Sequence, residues 1–131
     1  MAKPGRLKRR VFGVAFVAMV AVGTLAPRAA AQVSYQEDVF PIIELRCLEC
    51  HQPGGPGYET SGFDMRTYES LMEGTKFGPV ITPGSPFESN LVAVIEHRTS
   101  PEIWMPHQSK QLSKCERQAI RFWIAQGARN N

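Results

Sequence analysis

Cys47-Leu48-Glu49-Cys50-His51 is the stretch of this chain that decides its fold. Two thiols three positions apart can form thioethers with two vinyl groups on one porphyrin edge, and the adjacent imidazole can then reach the iron. The pattern therefore predicts one covalently attached haem c, with Cys47 and Cys50 as anchors and His51 as an axial ligand. A buried haem would also supply apolar surface that a short chain otherwise lacks.

Two other kinds of site use the same pair of cysteines. A tetrahedral zinc site needs further ligands, which Cys115, His97 or His107 could supply, but the sequence has no second Cys-x-x-Cys and no closely spaced His pair. A thioredoxin-like redox pair needs a βαβ pattern around it, and no such pattern is visible. Two thioethers also account for two of the three cysteines and leave Cys115 as a free thiol, to which we assign no function.

The first 31 residues are typical of an export signal. A basic segment leads into an uncharged, mostly apolar stretch at positions 11–26, and Ala29-Ala30-Ala31 offers a cleavage site. This stretch is shorter than the roughly 20 apolar residues of a membrane-spanning helix, which favours a removable signal but leaves an uncleaved membrane anchor open. We therefore expect a signal peptide at residues 1–31, a cytochrome-sized domain at residues 32–131 and a periplasmic location.

The net charge changes sign once the signal is removed. Six of the 15 Lys and Arg residues lie within positions 1–31, whereas all 12 Asp and Glu residues follow it, which leaves a formal charge of −3. A mildly acidic domain has no basic stripe for nucleic acid, so we expect no nucleic-acid partner. The same charge predicts a basic redox partner whose association is sensitive to salt.

A capping-box pair, Ser34 and Glu37, predicts a helix that runs to about Cys47 or Cys50. One face of this helix is apolar and comprises Tyr35, Val39, Phe40, Ile42, Ile43 and Cys47. The first haem cysteine thus lies on the face that is predicted to be buried. Pro41 should kink the helix or delay its regular part.

Three further helices are predicted, at 67–73, from Ser85 to about Glu96, and from Ser113 to Gln126. The second of these has a core stripe of Phe87, Leu91, Val94 and Ile95. The last has an apolar arc of Ala119, Ile120, Phe122, Trp123 and Ile124. Between Gln52 and Pro86, 12 of 35 residues are Gly or Pro, so we expect this segment to wrap a functional site. The predicted fold is an all-α domain of about four short helices whose long loops surround one haem.

The second axial ligand decides between electron transfer and reactivity at the iron. Met65 and Met72 lie in apolar patterns where methionine ordinarily fills a core. Met105 lies in an irregular segment before a proline, where the extended chain could lay a thioether across a haem face. His97 and His107 stay open as competing ligands that would give a bis-histidine iron.

Several elements in a fixed order resemble the planctomycete-type cytochrome c domain, which is similar to class I cytochromes c. They cover residues 36 to 128 and are Val39-Phe40-Pro41-Ile42-Ile43, the Cys47–His51 motif, Gly62-Phe63-Asp64-Met65, Pro83-Gly84-Ser85-Pro86, Ser89-Asn90-Leu91, Met105-Pro106 and Trp123-Ile124-Ala125-Gln126-Gly127-Ala128. The resemblance implies a small helical fold with crossing terminal helices that grip a haem, and His51 and Met105 as its axial pair. This chain has His107 where the family commonly has a second proline.

We therefore expect an exported mono-haem electron carrier, not an enzyme, that cycles between ferric and ferrous iron. Redox partner proteins would dock transiently at the haem edge of a monomer. A membrane would take part only if the leader stays uncleaved. The alternative is a haem peroxidase or a gas or redox sensor, which would need an open or bis-histidine iron site.

Overall fold

The computed structural model describes Met1 and residues 31–131. The predicted signal peptide therefore lies almost entirely outside the described residues. The longest described helix has 12 residues, and none of the described helices has both the length and the apolar character needed to cross a membrane.

The regular structure of residues 31–131 is helical, without a β-strand among these residues, which agrees with the predicted all-α class. The α-helices are α1 (Phe40–Arg46), α2 (Pro56–Ser61), α3 (Tyr68–Glu73), α4 (Asn90–Ile95) and α5 (Lys114–Ala125). A π-helical turn, Tyr35–Val39, leads directly into α1, and a 3-10 turn, Pro101–Ile103, lies between α4 and α5. Long loops join these short elements.

The first helix begins where it was predicted, but its cap has a different second partner. The Ser34 hydroxyl accepts from the Glu37 N–H at 3.1 Å, as a capping box requires. The Ser34 N–H, however, donates to the Asp38 carboxylate at 2.8 Å and not to Glu37. Pro41 lies in the first turn of α1, where a missing N–H is tolerated, and the chain before it is wound as a π-helix. The predicted delay of the regular helix is thus confirmed.

The start predicted for α4 at Ser85 is wrong, because α4 begins at Asn90 after the N-cap Ser89. Ser89 is buried, and its hydroxyl accepts from the Thr82 N–H at 2.9 Å and donates to the Ser85 carbonyl at 2.9 Å. These bonds hold positions 82–89 as a closed turn that competes with helix formation. Phe87, which was predicted to be in the core, is consequently 80% exposed.

The last helix, α5, follows its prediction closely. The Ser113 hydroxyl accepts from the Glu116 N–H at 3.2 Å, and the Ser113 N–H donates to the Glu116 carboxylate at 2.6 Å. The helix ends at Ala125, one residue before the predicted end. Phe122 is the exception in the predicted apolar arc, since it is 55% exposed.

The terminal helices pack against each other through an aromatic cluster. The ring of Tyr35 lies 5.4 Å from that of Trp123 and 5.3 Å from that of Tyr68. The Trp123 indole donates to the Arg129 carbonyl at 2.8 Å, and the Gln36 N–H donates to the Asn131 carbonyl at 3.1 Å. This packing fixes the direction of α1 and therefore the position of the segment that follows it from Cys47 onward.

Candidate functional site

The Cys-x-x-Cys-His segment forms one tight turn directly after α1. The Cys47 N–H donates to the Ile43 carbonyl at 2.9 Å, and the N–H groups of Cys50 and His51 both donate to the Cys47 carbonyl, at 3.2 and 3.0 Å. Both thiols are free and half-buried. Because positions three apart on a helical turn share a face, the backbone presents Cys47 and Cys50 to the same side. These backbone hydrogen bonds hold the three residues of the motif within one turn.

The Cys47 thiol is in an environment that keeps it protonated. Burial is the main cause and raises its pKa to about 12, while the charge of Arg46 acts in the opposite direction and that of Glu116 adds to the effect of burial. An attacking cysteine of a thiol-exchange protein has a lowered pKa, which stabilises the thiolate. The structure therefore does not favour the thioredoxin-like interpretation of this motif.

Two glycines from the loop after the motif pack directly against it. A Cβ atom on Gly55 would lie 2.5 Å from the Cys50 carbonyl oxygen, and one on Gly57 would lie 2.8 Å from Cε1 of His51. The Tyr58 N–H also donates to the Cys50 carbonyl at 2.9 Å. The approach of the backbone is so close that only glycine fits without movement of the motif.

These glycines belong to the start of α2, the helix that the sequence patterns did not predict. Pro56 occupies its first turn, and Gly62, with a φ of 71°, ends it in a left-handed conformation. Proline at the start and glycine after the end are a helix signal that could have revealed α2. Their role against His51 could not be read from sequence, because it depends on where the loop lies.

The His51 imidazole is half-buried, and its surroundings favour the neutral form. Its Nδ1 atom is buried and has no hydrogen-bond partner among the described residues, and its ring meets the Phe63 ring edge-on at 5.4 Å. Burial lowers the pKa of His51, and the nearby Phe63 backbone partly opposes this shift. A neutral imidazole is the form that binds a metal ion.

Met105 lies on a separate loop and is tied to the end of α4. Its N–H donates to the Val94 carbonyl at 3.2 Å, and its partly buried side chain packs against the hydrophobic core. Met65 is buried and Met72 partly buried, both against that same core, which agrees with their predicted packing role. Met65 and Met105 both lie in irregular backbone, but Met65 is buried in the core whereas Met105 is only partly buried.

The remaining candidate ligands are dispersed. His97 is half-buried and stacks on Trp104, His107 is exposed, and Cys115 is exposed on the first turn of α5. Across Met1 and residues 31–131, no three His, Cys, Asp or Glu side chains are grouped so that they could hold a metal ion. The described residues do not bring a further zinc ligand to Cys47 and Cys50.

The comparison with known protein families gives a match to the central part of the chain. Residues 47–108 match the family model described as Planctomycete cytochrome C. The matched segment begins at the first cysteine of the motif and extends beyond Met105. No curated protein and no solved structure matches the chain significantly.

Proposed function

We propose that this chain, whose residues 47–108 match the model described as Planctomycete cytochrome C, is an exported mono-haem c-type cytochrome that carries single electrons. A cytochrome c domain suggests haem binding and electron transfer rather than catalysis. The observation that carries the proposal is the turn at residues 47–51, where two free thiols and a half-buried imidazole lie on one short backbone segment. The number of haems, the axial pair and export are parts of the proposal.

The residues of this turn fit a haem. Cys47 and Cys50 share a face and have no other partner, so they would anchor the ring by thioethers. His51 would be one axial ligand, in the neutral form that burial already favours. Gly55 and Gly57 add no side-chain bulk where the loop passes the motif. When bound, the haem supplies reversible one-electron chemistry between ferric and ferrous iron.

Met105 is proposed as the second axial ligand. A thioether in this position raises the reduction potential and closes the iron to other ligands, which suits a carrier. The Met105 N–H donates to the Val94 carbonyl, so the backbone of Met105 is held in place whichever way its side chain points. His97 or His107 in its place would give a bis-histidine iron with a lower potential.

The proposed location is the periplasm, after export directed by residues 1–31. In that compartment the mature chain, with its formal charge of −3, would meet a basic redox protein through a small and transient interface. Attraction between opposite charges would be weakened by added salt. Electron-transfer rates with a basic partner should accordingly fall when the salt concentration rises, and rates that do not change would contradict this part of the proposal.

Covalent attachment is tested by expressing the full chain in a bacterium that matures c-type cytochromes. We expect a coloured protein that retains haem on a denaturing gel, with a mass increase of one haem. Cys47→Ser and Cys50→Ser should each lose a thioether, whereas the control Cys115→Ser should keep wild-type attachment. Colourless protein, or protein that binds zinc at the motif, would contradict the proposal.

The axial ligand is tested by the optical spectrum of the same preparation. The ferric protein should show a methionine-to-iron charge-transfer band at the red end of the visible range. A high-spin spectrum that responds to carbon monoxide after reduction would instead support a peroxidase or sensor with an open iron site.

A further inference from the structure

His97 closes α4 in a conformation that is unfavourable for its residue type. Its φ is 57°, and it ends the helix with the His97 N–H on the Val94 carbonyl at 3.3 Å and the Arg98 N–H on the Ala93 carbonyl at 2.9 Å. This pair of bonds is a Schellman motif, in which glycine usually occupies the left-handed position. A side chain with a Cβ atom is strained there.

The same residue carries a second unfavourable feature. The Nε2 atom of His97 is buried and has no hydrogen-bond partner among the described residues. A buried polar atom without a partner costs stability. Two local costs at one position indicate that the imidazole contributes something that glycine would not.

The contribution that the structure shows is a stack. The rings of His97 and Trp104 are parallel within 2°, with centroids 4.3 Å apart. The Trp104 indole also donates to the Thr99 carbonyl at 2.9 Å. Trp104, the residue immediately before Met105, is therefore held at its ring face by the stack and at its indole N–H by the hydrogen bond.

The backbone of Met105 is joined to the same helix end. The Val94 carbonyl that accepts from His97 also accepts from the Met105 N–H, at 3.2 Å. On the other side of the loop, the Gln111 side-chain amide donates to the Ile95 carbonyl at 3.2 Å. The loop is thus fastened to the last turn of α4 at Met105 and again at Gln111.

We propose that His97 is a positioning residue for Met105. Its ring, held in place by the left-handed backbone, fixes Trp104, and Trp104 fixes the residue that follows it. This inference rests on the proposed role of Met105 as an axial ligand. It adds that the stack of His97 on Trp104 strengthens the binding of Met105 to the iron. Without the stack, Met105 leaves the iron more readily.

The effect is measurable with imidazole as an external ligand of the ferric holoprotein. Imidazole must displace methionine before it binds, so its apparent affinity rises in proportion to the fraction of protein with the methionine detached. An aromatic pair contributes about 0.5–1.5 kcal/mol beyond its buried area, which corresponds to a roughly 2- to 12-fold change in an equilibrium constant. We expect that increase in imidazole affinity, together with a weaker methionine-to-iron band.

The first variant is His97→Asn, because asparagine tolerates the left-handed conformation and can still close the helix. The second is Trp104→Leu, which removes the other half of the stack and covers the case in which the first variant does not load haem. Two controls leave the stack intact. Phe87→Ala removes an exposed ring that lies 5.5 Å from the Arg98 guanidinium next to His97, and Phe77→Ala removes an exposed ring in the loop between α3 and α4.

The optical spectra of the wild type and Met105→Ala are measured first. If Met105→Ala keeps the methionine-to-iron band of the wild type, Met105 is not the ligand, and this inference is overturned with it. Given that band, a higher imidazole affinity in both stack variants and in neither control supports a positioning role. Wild-type affinity in His97→Asn would overturn it, even if that variant unfolds at a lower temperature. Equal increases in the controls would also overturn it.

Discussion

Substitution of Gly55 by alanine should damage the haem-binding turn through space alone. Gly55 is buried and has a φ of −83° and a ψ of 146°, which any residue adopts without strain. Its added Cβ atom would lie 2.5 Å from the carbonyl oxygen and 2.8 Å from the carbonyl carbon of Cys50, and 2.9 Å from the carbonyl oxygen of Glu49. All three neighbours are backbone atoms of the motif, so the clash cannot be relieved by a side-chain rotation.

Overpacking of this kind typically costs about 1–3 kcal/mol. For a domain of about 100 residues, each kcal/mol lowers the melting temperature by roughly 4–8 °C. We therefore expect Gly55→Ala to melt well below the wild type. Because the backbone that must move carries Cys50, we also expect less covalently attached haem.

The assay compares the purified proteins by thermal unfolding followed by circular dichroism, and haem attachment by haem staining on a denaturing gel. The matched control is Gly54→Asn, at a position with no atom within 4 Å of the added Cβ and a φ of 87° that asparagine tolerates. If Gly55→Ala were as stable and as fully loaded as Gly54→Asn, the loop would not lie against the motif as described. Loss of stability in both variants to the same extent would equally refute the steric explanation.

Three other substitutions test separate parts of the structure. Ser89→Ala removes the buried hydroxyl that accepts from the Thr82 N–H, and denaturant unfolding should show a loss of about 1–3 kcal/mol. Met105→Ala should abolish the methionine-to-iron band in the optical spectrum, whereas Met72→Leu, which changes a partly buried core methionine, should keep it. Burial, with smaller effects of nearby charges, raises the pKa of Tyr35 from 10.0 to about 12. The folded state therefore holds the phenol proton more tightly than the unfolded state does, and the stability gained in this way is complete below pH 10 and is lost as the pH rises through 12. Tyr35→Phe should therefore lose less stability than the wild type between pH 10 and 12, as unfolding at a series of pH values would show.

The parts of the fold that could be predicted are those that local chemistry determines. The cap at Ser34 and the capping box at Ser113 placed the starts of the π-helical turn and of α5 correctly, and the helical spacing of apolar residues placed the ends of α1 and α5 within a few residues. The motif at residues 47–51 likewise depends on spacing within one turn. In each case the deciding contacts join residues at most a few positions apart.

The parts that could not be predicted depend on contacts between distant segments or on competition between local patterns. Ser85 and Pro86 form a good start signal, but Ser89 uses its hydroxyl on the preceding turn and delays α4 to Asn90. The close approach of Gly57 to His51 follows from the path of a loop. The left-handed backbone at His97 has no glycine to reveal it.

The high pKa of the Cys47 thiol has a consequence for how the protein is assembled. A thiol that stays protonated is a poor nucleophile, whether its target is a vinyl group or another sulfur. In the closed fold, Cys47 is therefore slow to form a thioether, and equally slow to form a disulfide with Cys50 in an oxidising compartment. We expect cofactor attachment at Cys47 to be faster while α1 and the following loop are still open, because the thiol then lacks the burial that raises its pKa.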